Sequence, residues 1–200
     1  MDRLHKKLNE AYHILEEADK PFRIFLDMDG CITDFVKEFN KATAGSNEFP
    51  PADGLGPHEY EMKHGKNTFW KAIETAGEDF WSGMEWLADG KELWSYVSQF
   101  DPTILSAPSR DPECITGKVK WLQNNINLPN YDVQLKSRRG WDGVSKIILN
   151  SNKGQFAVGP NDILIDDTKK KIDMWEAAGG TGILHTSATD TIRQLKELGL

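Results

Sequence analysis

Asp27 and Asp29, two carboxylates separated by one residue, follow the apolar run Phe22 to Leu26 and precede Gly30. A pair of this kind can divide two tasks, one acid serving as oxygen nucleophile and the other as proton carrier, provided their protonation states differ. Asp-x-Asp-Gly also occurs in calcium loops, which need oxygen ligands at fixed offsets and a helix in front. Here the fifth position counted from Asp27 is Cys31 and the preceding run is strand-like, so the calcium-loop reading is disfavoured. A second pair, Asp166 and Asp167, closes another apolar run, Asp162 to Ile165. If the two runs are neighbouring strands, three or four carboxylates meet at one edge, and their repulsion at low dielectric calls for a cation among them. Mg²⁺ suits such a place, because it accepts one or two carboxylates and leaves positions for water and phosphate.

Ser106 ends a third run, Thr103 to Leu105, where its hydroxyl could donate to a phosphate oxygen. Lys153 precedes Asp166 by thirteen residues and could neutralise both carboxylates and a bound phosphate dianion. Lys146 competes for that role, but it opens the apolar run Ile147 to Leu149, whereas Lys153 precedes Gly154 at a turn shortly before the acidic strand.

The elements that must position these groups alternate along the chain. Short strands are expected at Phe22 to Leu26, Thr103 to Ser106, Tyr131 to Leu135, Ile163 to Ile165 and Ile183 to Leu184. Helical spacing separates them, as in Ile115, Val119, Leu122 and Ile126, and again in Ile172 and Trp175. Alternating strands and helices imply an α/β fold with a doubly wound, Rossmann-like parallel sheet. Met1 to Lys20 reads as an amphipathic helix ended by Pro21. From about Asn40 to Asp89 the rhythm breaks into Gly, Pro and aromatic residues with no strand pattern, which suits a small, mostly helical cap inserted after the first strand. The expected division is a core of residues 1–39 and 90–200 and a cap of residues 40–89.

Bulk properties narrow the function classes. Two hundred residues make one domain with room for a lid, and 38% hydrophobic with 28% charged residues is a globular composition. No stretch approaches the roughly 20 apolar residues of a membrane span. A net charge of −7 argues against a protein that coats nucleic acid, while small phosphorylated substrates stay open because their charge can be met locally. Cys31 and Cys114 suit idle thiols in a reducing compartment. With no signal-peptide pattern, the expected location is cytoplasmic.

The order Asp-x-Asp, Ser, Lys, Asp-Asp resembles the haloacid dehalogenase-like phosphatase superfamily over about Phe22 to His185. The resemblance implies that Asp27 attacks phosphorus and that Asp29 protonates the leaving oxygen and then activates water. It implies that Ser106 and Lys153 hold phosphate, and that Asp27, Asp29 (through its backbone carbonyl), Asp166 and Asp167 form a Mg²⁺ site. The longer run from Leu26 to Phe35 is similar to the 5'(3')-deoxyribonucleotidase family, as are Phe80-Trp81, Leu105 to Pro108 and Leu164 to Asp167. That likeness implies a nucleotide substrate with Phe35 as an aromatic wall, and base stacking contributes about 1 to 3 kcal/mol. Phe80 and Trp81 are the expected cap contacts, although Trp70, Trp81, Trp86 and Trp94 would equally serve as the core of a small helical cap.

Two positions depart from that family. Its Thr-Ser-Pro is Ser106-Ala107-Pro108 here, and Ser151 stands where it has an arginine; Arg110, Arg138 or Arg139 could substitute. The expected partner is a small phosphorylated molecule, with a homodimer compatible with the sequence and neither membrane nor nucleic acid expected. The rival readings are a polynucleotide 3'-phosphatase, suggested by Met174-Trp175 after the acidic pair, and a receiver-like phosphate-binding module. A receiver, however, carries its acceptor on a middle strand and has no cap.

Overall fold

The computed structural model describes residues 22–126 and 146–200. Three apolar runs become the central strands β1 (Arg23–Leu26), β2 (Thr103–Ser106) and β4 (Asp162–Asp166), buried along nearly their whole length. Strands covered by helices on both faces demand such continuous burial. With β3 (Ile147–Leu149) and β5 (Thr181–Leu184) they form a five-stranded parallel sheet in the order β3-β2-β1-β4-β5. Successive side chains leave opposite faces. Ile24, Leu26, Ile104, Ile163 and Ile165 therefore enter the larger core, while Phe25, Leu105 and Leu164 pack with Ile172 and Trp175 in the smaller one.

Strand β3 is a finding beyond the expected set. Its three residues are only half-buried, and it is held by its ladder to β2, with Ile104 opposite Ile147 and Ser106 opposite Leu149. The strand expected at Tyr131 to Leu135, the N-terminal helix over Met1 to Lys20, Arg138 and Arg139 all lie outside the described residues.

Between β1 and β2 the described backbone holds helices and loops: α1 (Phe35–Thr43), α2 (Pro57–His64), α3 (Lys66–Ser82) and α4 (Gly90–Val97). Helix α5 (Pro112–Asn125) follows β2, α6 (Lys169–Ala177) follows β4 and α7 (Ala188–Glu197) follows β5. The fold is thus an α/β doubly wound sheet with a helical cap inserted after the first strand. Asp34 starts α1 by accepting the Lys37 backbone N–H at 2.9 Å, which directs the chain from the sheet edge into the cap. The cap is aromatic inside: Phe39, Tyr60, Phe69, Phe80 and Trp81 are buried, and the Phe39 ring lies 4.7 Å from Phe69 and 4.8 Å from Tyr60. Cap and core interlock where α3 crosses α5. A Cβ on Gly117 would come within 2.4 Å of the Trp81 Cβ and 2.7 Å of the Glu78 carbonyl, so this close approach requires glycine.

Candidate active site

Parallel register brings the acidic segments together. Leu26 stands opposite Ile165 on one side and Ile104 on the other, so Asp27, Asp166 and Ser106 emerge at one carboxyl edge. Doubly wound sheets bind their ligands in the crevice at this edge. The Asp27 N–H extends the ladder to the Ile165 carbonyl at 3.0 Å, and the Met28 N–H donates to Asp27 Oδ1 at 2.8 Å. The chain then winds tightly, with the N–H groups of Cys31, Ile32 and Thr33 all returning to the Met28 carbonyl. Gly30 sits in this turn at φ +77°, and a Cβ there would lie 2.2 Å from Asp167 Oδ2. Only glycine accepts that backbone and leaves room for Asp167.

Lys153 opens a short 3-10 turn, Lys153–Phe156, and is fully buried. Its Nζ lies 2.8 Å from Asp27 Oδ2 and 2.6 Å from Asp166 Oδ2, while Asp166 Oδ1 accepts the Thr168 backbone N–H at 2.8 Å. Lys146 has gone to the opposite end of the strands, pairing with Asp101 before β2. Burial alone would lower the Lys153 ammonium, but Asp27 and Asp166 outweigh it and hold it above its ordinary range. Burial alone would also raise Asp27, and Lys153 with Lys118 more than reverses this, keeping Asp27 below the usual carboxylate range. Asp166 goes the other way, raised by burial and by Asp27. Asp167 is raised to about 7 by burial, Asp27 and Asp166.

Lys118, on α5, was not among the expected site residues. It is fully buried, with Nζ 2.5 Å from Asp29 Oδ2 and donating to Ser106 Oγ at 2.8 Å, and it lies 5.1 Å from the centre of the Trp81 ring. Because Ser106 Oγ accepts from Lys118, the serine's own hydrogen is left to donate elsewhere. Thr33 Oγ1 donates to the other oxygen of Asp29 at 3.1 Å. A signal existed in the sequence: Cys114, Lys118, Trp121 and Leu122 fall on one buried helix face. A lysine in such a row has to be paired.

Asp27, Asp166 and Asp167 can each offer an oxygen within 4.8 Å of the others, and this donor set fits a hard divalent cation. With Asp29 included, four carboxylates face two ammonium groups, so the unliganded cluster carries surplus negative charge. The Asp29 carboxylate is not one of the clustered groups, being tied to Lys118 and Thr33.

Above the cluster lies a cavity of about 660 Å³. Asp27, Asp29 and Asp167 line its floor, while Phe35, Phe69, Trp70 and Trp81 contribute an aromatic wall. Phe80 is buried edge-on to Phe35, at 5.3 Å between ring centres, and does not line the cavity. Trp86 and Trp94 do not line it either; they pack against the larger core. Arg110 is exposed and belongs to a separate pocket of about 390 Å³ with Glu74, Asp111 and Glu113. Cys31 and Cys114 are buried free thiols, both raised by burial, which makes them poor nucleophiles.

No protein-family model matches the chain, and no curated protein sequence does. Solved structures do. L-2-haloacid dehalogenase from Xanthobacter autotrophicus, with chloropropionic acid covalently bound, aligns with a TM-score of 0.50 at 7% identity, over 82% of this chain and 76% of that one. A hydrolase from Streptococcus pneumoniae TIGR4 aligns with a TM-score of 0.48 at 14% identity, over 89% of this chain and 100% of that one. A HAD-superfamily hydrolase from Ehrlichia chaffeensis also gives 0.48, at 13% identity over 90% of this chain and 98% of that one. At such identities the likeness is one of fold, and the chain has the Rossmann-like α/β fold of the haloacid dehalogenase-like hydrolases.

Proposed function

We propose that the protein is a phosphomonoester hydrolase acting through an aspartyl-phosphate on Asp27. The observation that carries this reading is Asp27 itself: a carboxylate kept ionised by Lys153 and Lys118, lining a cavity, with Asp29 two residues on. In the first step an Asp27 oxygen attacks phosphorus, the ester P–O bond breaks, and the leaving oxygen takes a proton from Asp29, which must take up that proton from solvent as the ester binds. In the second, water attacks phosphorus and gives its proton to Asp29. The bond between phosphorus and Asp27 breaks, and inorganic phosphate leaves. Lys118 holds Asp29 and Ser106 in register, while Lys153 offsets charge where anion meets anion.

Mg²⁺ fits the acidic cluster and, when bound, supplies charge neutralisation to the phosphoryl oxygens. Asp27 and Asp167 would present ligand oxygens to the cavity, with the Asp29 backbone carbonyl as a further donor. Asp166 would stand behind them, since it is fully buried and does not line the cavity.

The substrate we favour is a (deoxy)nucleoside monophosphate cleaved as by a 5'-nucleotidase. The half-buried rings of Phe35 and Trp70, which line the same cavity as the carboxylates, suit a base better than a bare sugar. Residues 40–89 would act as the lid and residues 1–39 and 90–200 as the catalytic core. A phosphate-release panel over ribo- and deoxynucleoside monophosphates and a small aryl phosphate, with and without Mg²⁺, tests this reading. Wild type is expected to release phosphate from nucleotides only with the metal, and Asp27→Asn to release none. Wild-type release no greater than that of Asp27→Asn on every ester would overturn it.

A further inference from the structure

Lys118 and Lys153 are both fully buried, and each is committed to carboxylates of the site. Neither lines the cavity. The cavity is instead strongly acidic, with Asp34 and Glu61 added to the three aspartates of its floor. Among the described residues a single lysine or arginine lines it, Lys171. A divalent ion in the acidic cluster would cancel the surplus carboxylate charge, but an incoming phosphate dianion brings that charge back. Some cation facing the cavity has to meet it.

Lys171 is one of three consecutive lysines at the start of α6, and their fates differ. Lys169 pairs with Asp173 one turn along, and Lys170 is exposed and away from the cavity. Lys171 turns inward, half-buried, and donates to the Ser151 carbonyl at 2.6 Å. No carboxylate of the described residues lies within ion-pairing distance of it. Burial, followed by repulsion from Lys153, pushes this ammonium below its ordinary range, while Asp166 and Asp27 pull it back. An ammonium has three donors, so after the Ser151 contact two remain.

We propose that Lys171 is the cation that receives the substrate's phosphate, its ammonium steered by the Ser151 carbonyl so that its remaining N–H groups donate to a phosphoryl oxygen of a phosphomonoester dianion at Asp27. This rests on the phosphohydrolase reading and adds to it a residue that touches substrate. Such a contact acts on bound ester and bound product alike, so it governs affinity more than the chemical step.

The test uses the full chain with Mg²⁺ and compares wild type, Lys171→Met, Lys171→Arg and Lys170→Met. It measures kcat and KM on a nucleoside monophosphate, together with the Kd of inorganic phosphate. Lys171→Met is expected to raise both KM and the phosphate Kd about tenfold, the loss of one charge-assisted hydrogen bond, with kcat changed less. Lys171→Arg should recover most of the affinity, and Lys170→Met should match wild type. Wild-type values for Lys171→Met, or an equal loss in Lys170→Met, would overturn the proposal while leaving the hydrolase reading intact. Lys171-dependent phosphate binding without any ester hydrolysis would keep Lys171 and sink the hydrolase. If phosphate is not bound and no ester is hydrolysed, both fall.

Discussion

Lys118 donates to Asp29 and to Ser106 from a position with no solvent contact, so removing it leaves a cavity-lining carboxylate without its cation and a serine without its orienting donor. We expect Lys118→Met to lower kcat on the order of 10²-fold, the scale of a misplaced acid/base partner. Lys120→Met, whose lysine pairs with Glu78 on the exposed side of the same helix, should leave steady-state rates unchanged. Gly30→Ala belongs to the same scale. Its methyl would fall on the Asp167 carboxylate, so both Mg²⁺ affinity by calorimetry and turnover should drop sharply, whereas wild-type metal binding would contradict the contact. Asp27, Asp29, Lys153, Asp166 and Asp167 were legible in the sequence because each falls at or beside a strand end or turn, where spacing alone places it. Lys118 comes from a helix face and was readable only as a charge in an apolar row. Lys171 sits in a run of three lysines, and nothing in the spacing separates it from its neighbours. Arg110 had the right charge to attract notice, but the chain carries it to a different pocket.

At the scale of elements, the sheet is positioned from both sides, and the smaller core beneath β1, β2 and β4 depends on one large ring. Trp175 is fully buried, donates its indole N–H to the Asp162 carbonyl at 2.9 Å and lies 5.0 Å from the Phe25 ring. Trp175→Ala should cost about 3 to 5 kcal/mol in urea unfolding, the usual range for a large aromatic deleted from a core; a loss under about 1 kcal/mol would mean that α6 does not anchor β4. Strands β1, β2, β4 and β5 could be read from apolar runs with turn residues at their ends. Strand β3 could not, since three half-buried residues carry too short a pattern and owe their strand state to the ladder with β2. The cap could be read as an insertion, but not its packing. Phe80 and Trp81 are adjacent aromatics, and helix phase buries both while only Trp81 borders the cavity.

For the whole molecule, a net charge of −7 coexists with three lysines, Lys118, Lys153 and Lys171, gathered at the acidic edge of the sheet. No described helix is long and apolar enough to cross a membrane. His185 should make one pH-dependent contribution to global stability, being buried and hydrogen-bonded by Nδ1 to Thr191 Oγ1 at 2.8 Å. Burial lowers its folded-state pKa, against the pull of Asp89 and Asp190, below the ordinary value of about 6.5. The unfolded chain therefore takes up a proton that the native protein refuses. This stability is complete above about pH 6.5 and is lost as pH falls through that value. Thermal melts between about pH 7.5 and pH 5.5 should fall more steeply for wild type than for His185→Gln, and parallel slopes would contradict the assignment. The central claim, that Asp27 carries the phosphoryl group, is tested most directly by quenching the enzyme during turnover of a nucleoside monophosphate with borohydride, which reduces an acyl phosphate to an alcohol, and mapping the altered residue by mass spectrometry. Homoserine is expected in place of Asp27 only when ester and Mg²⁺ are both present; release of phosphate with Asp27 unaltered, or reduction at a different carboxylate, would rule out a phosphoryl group on Asp27.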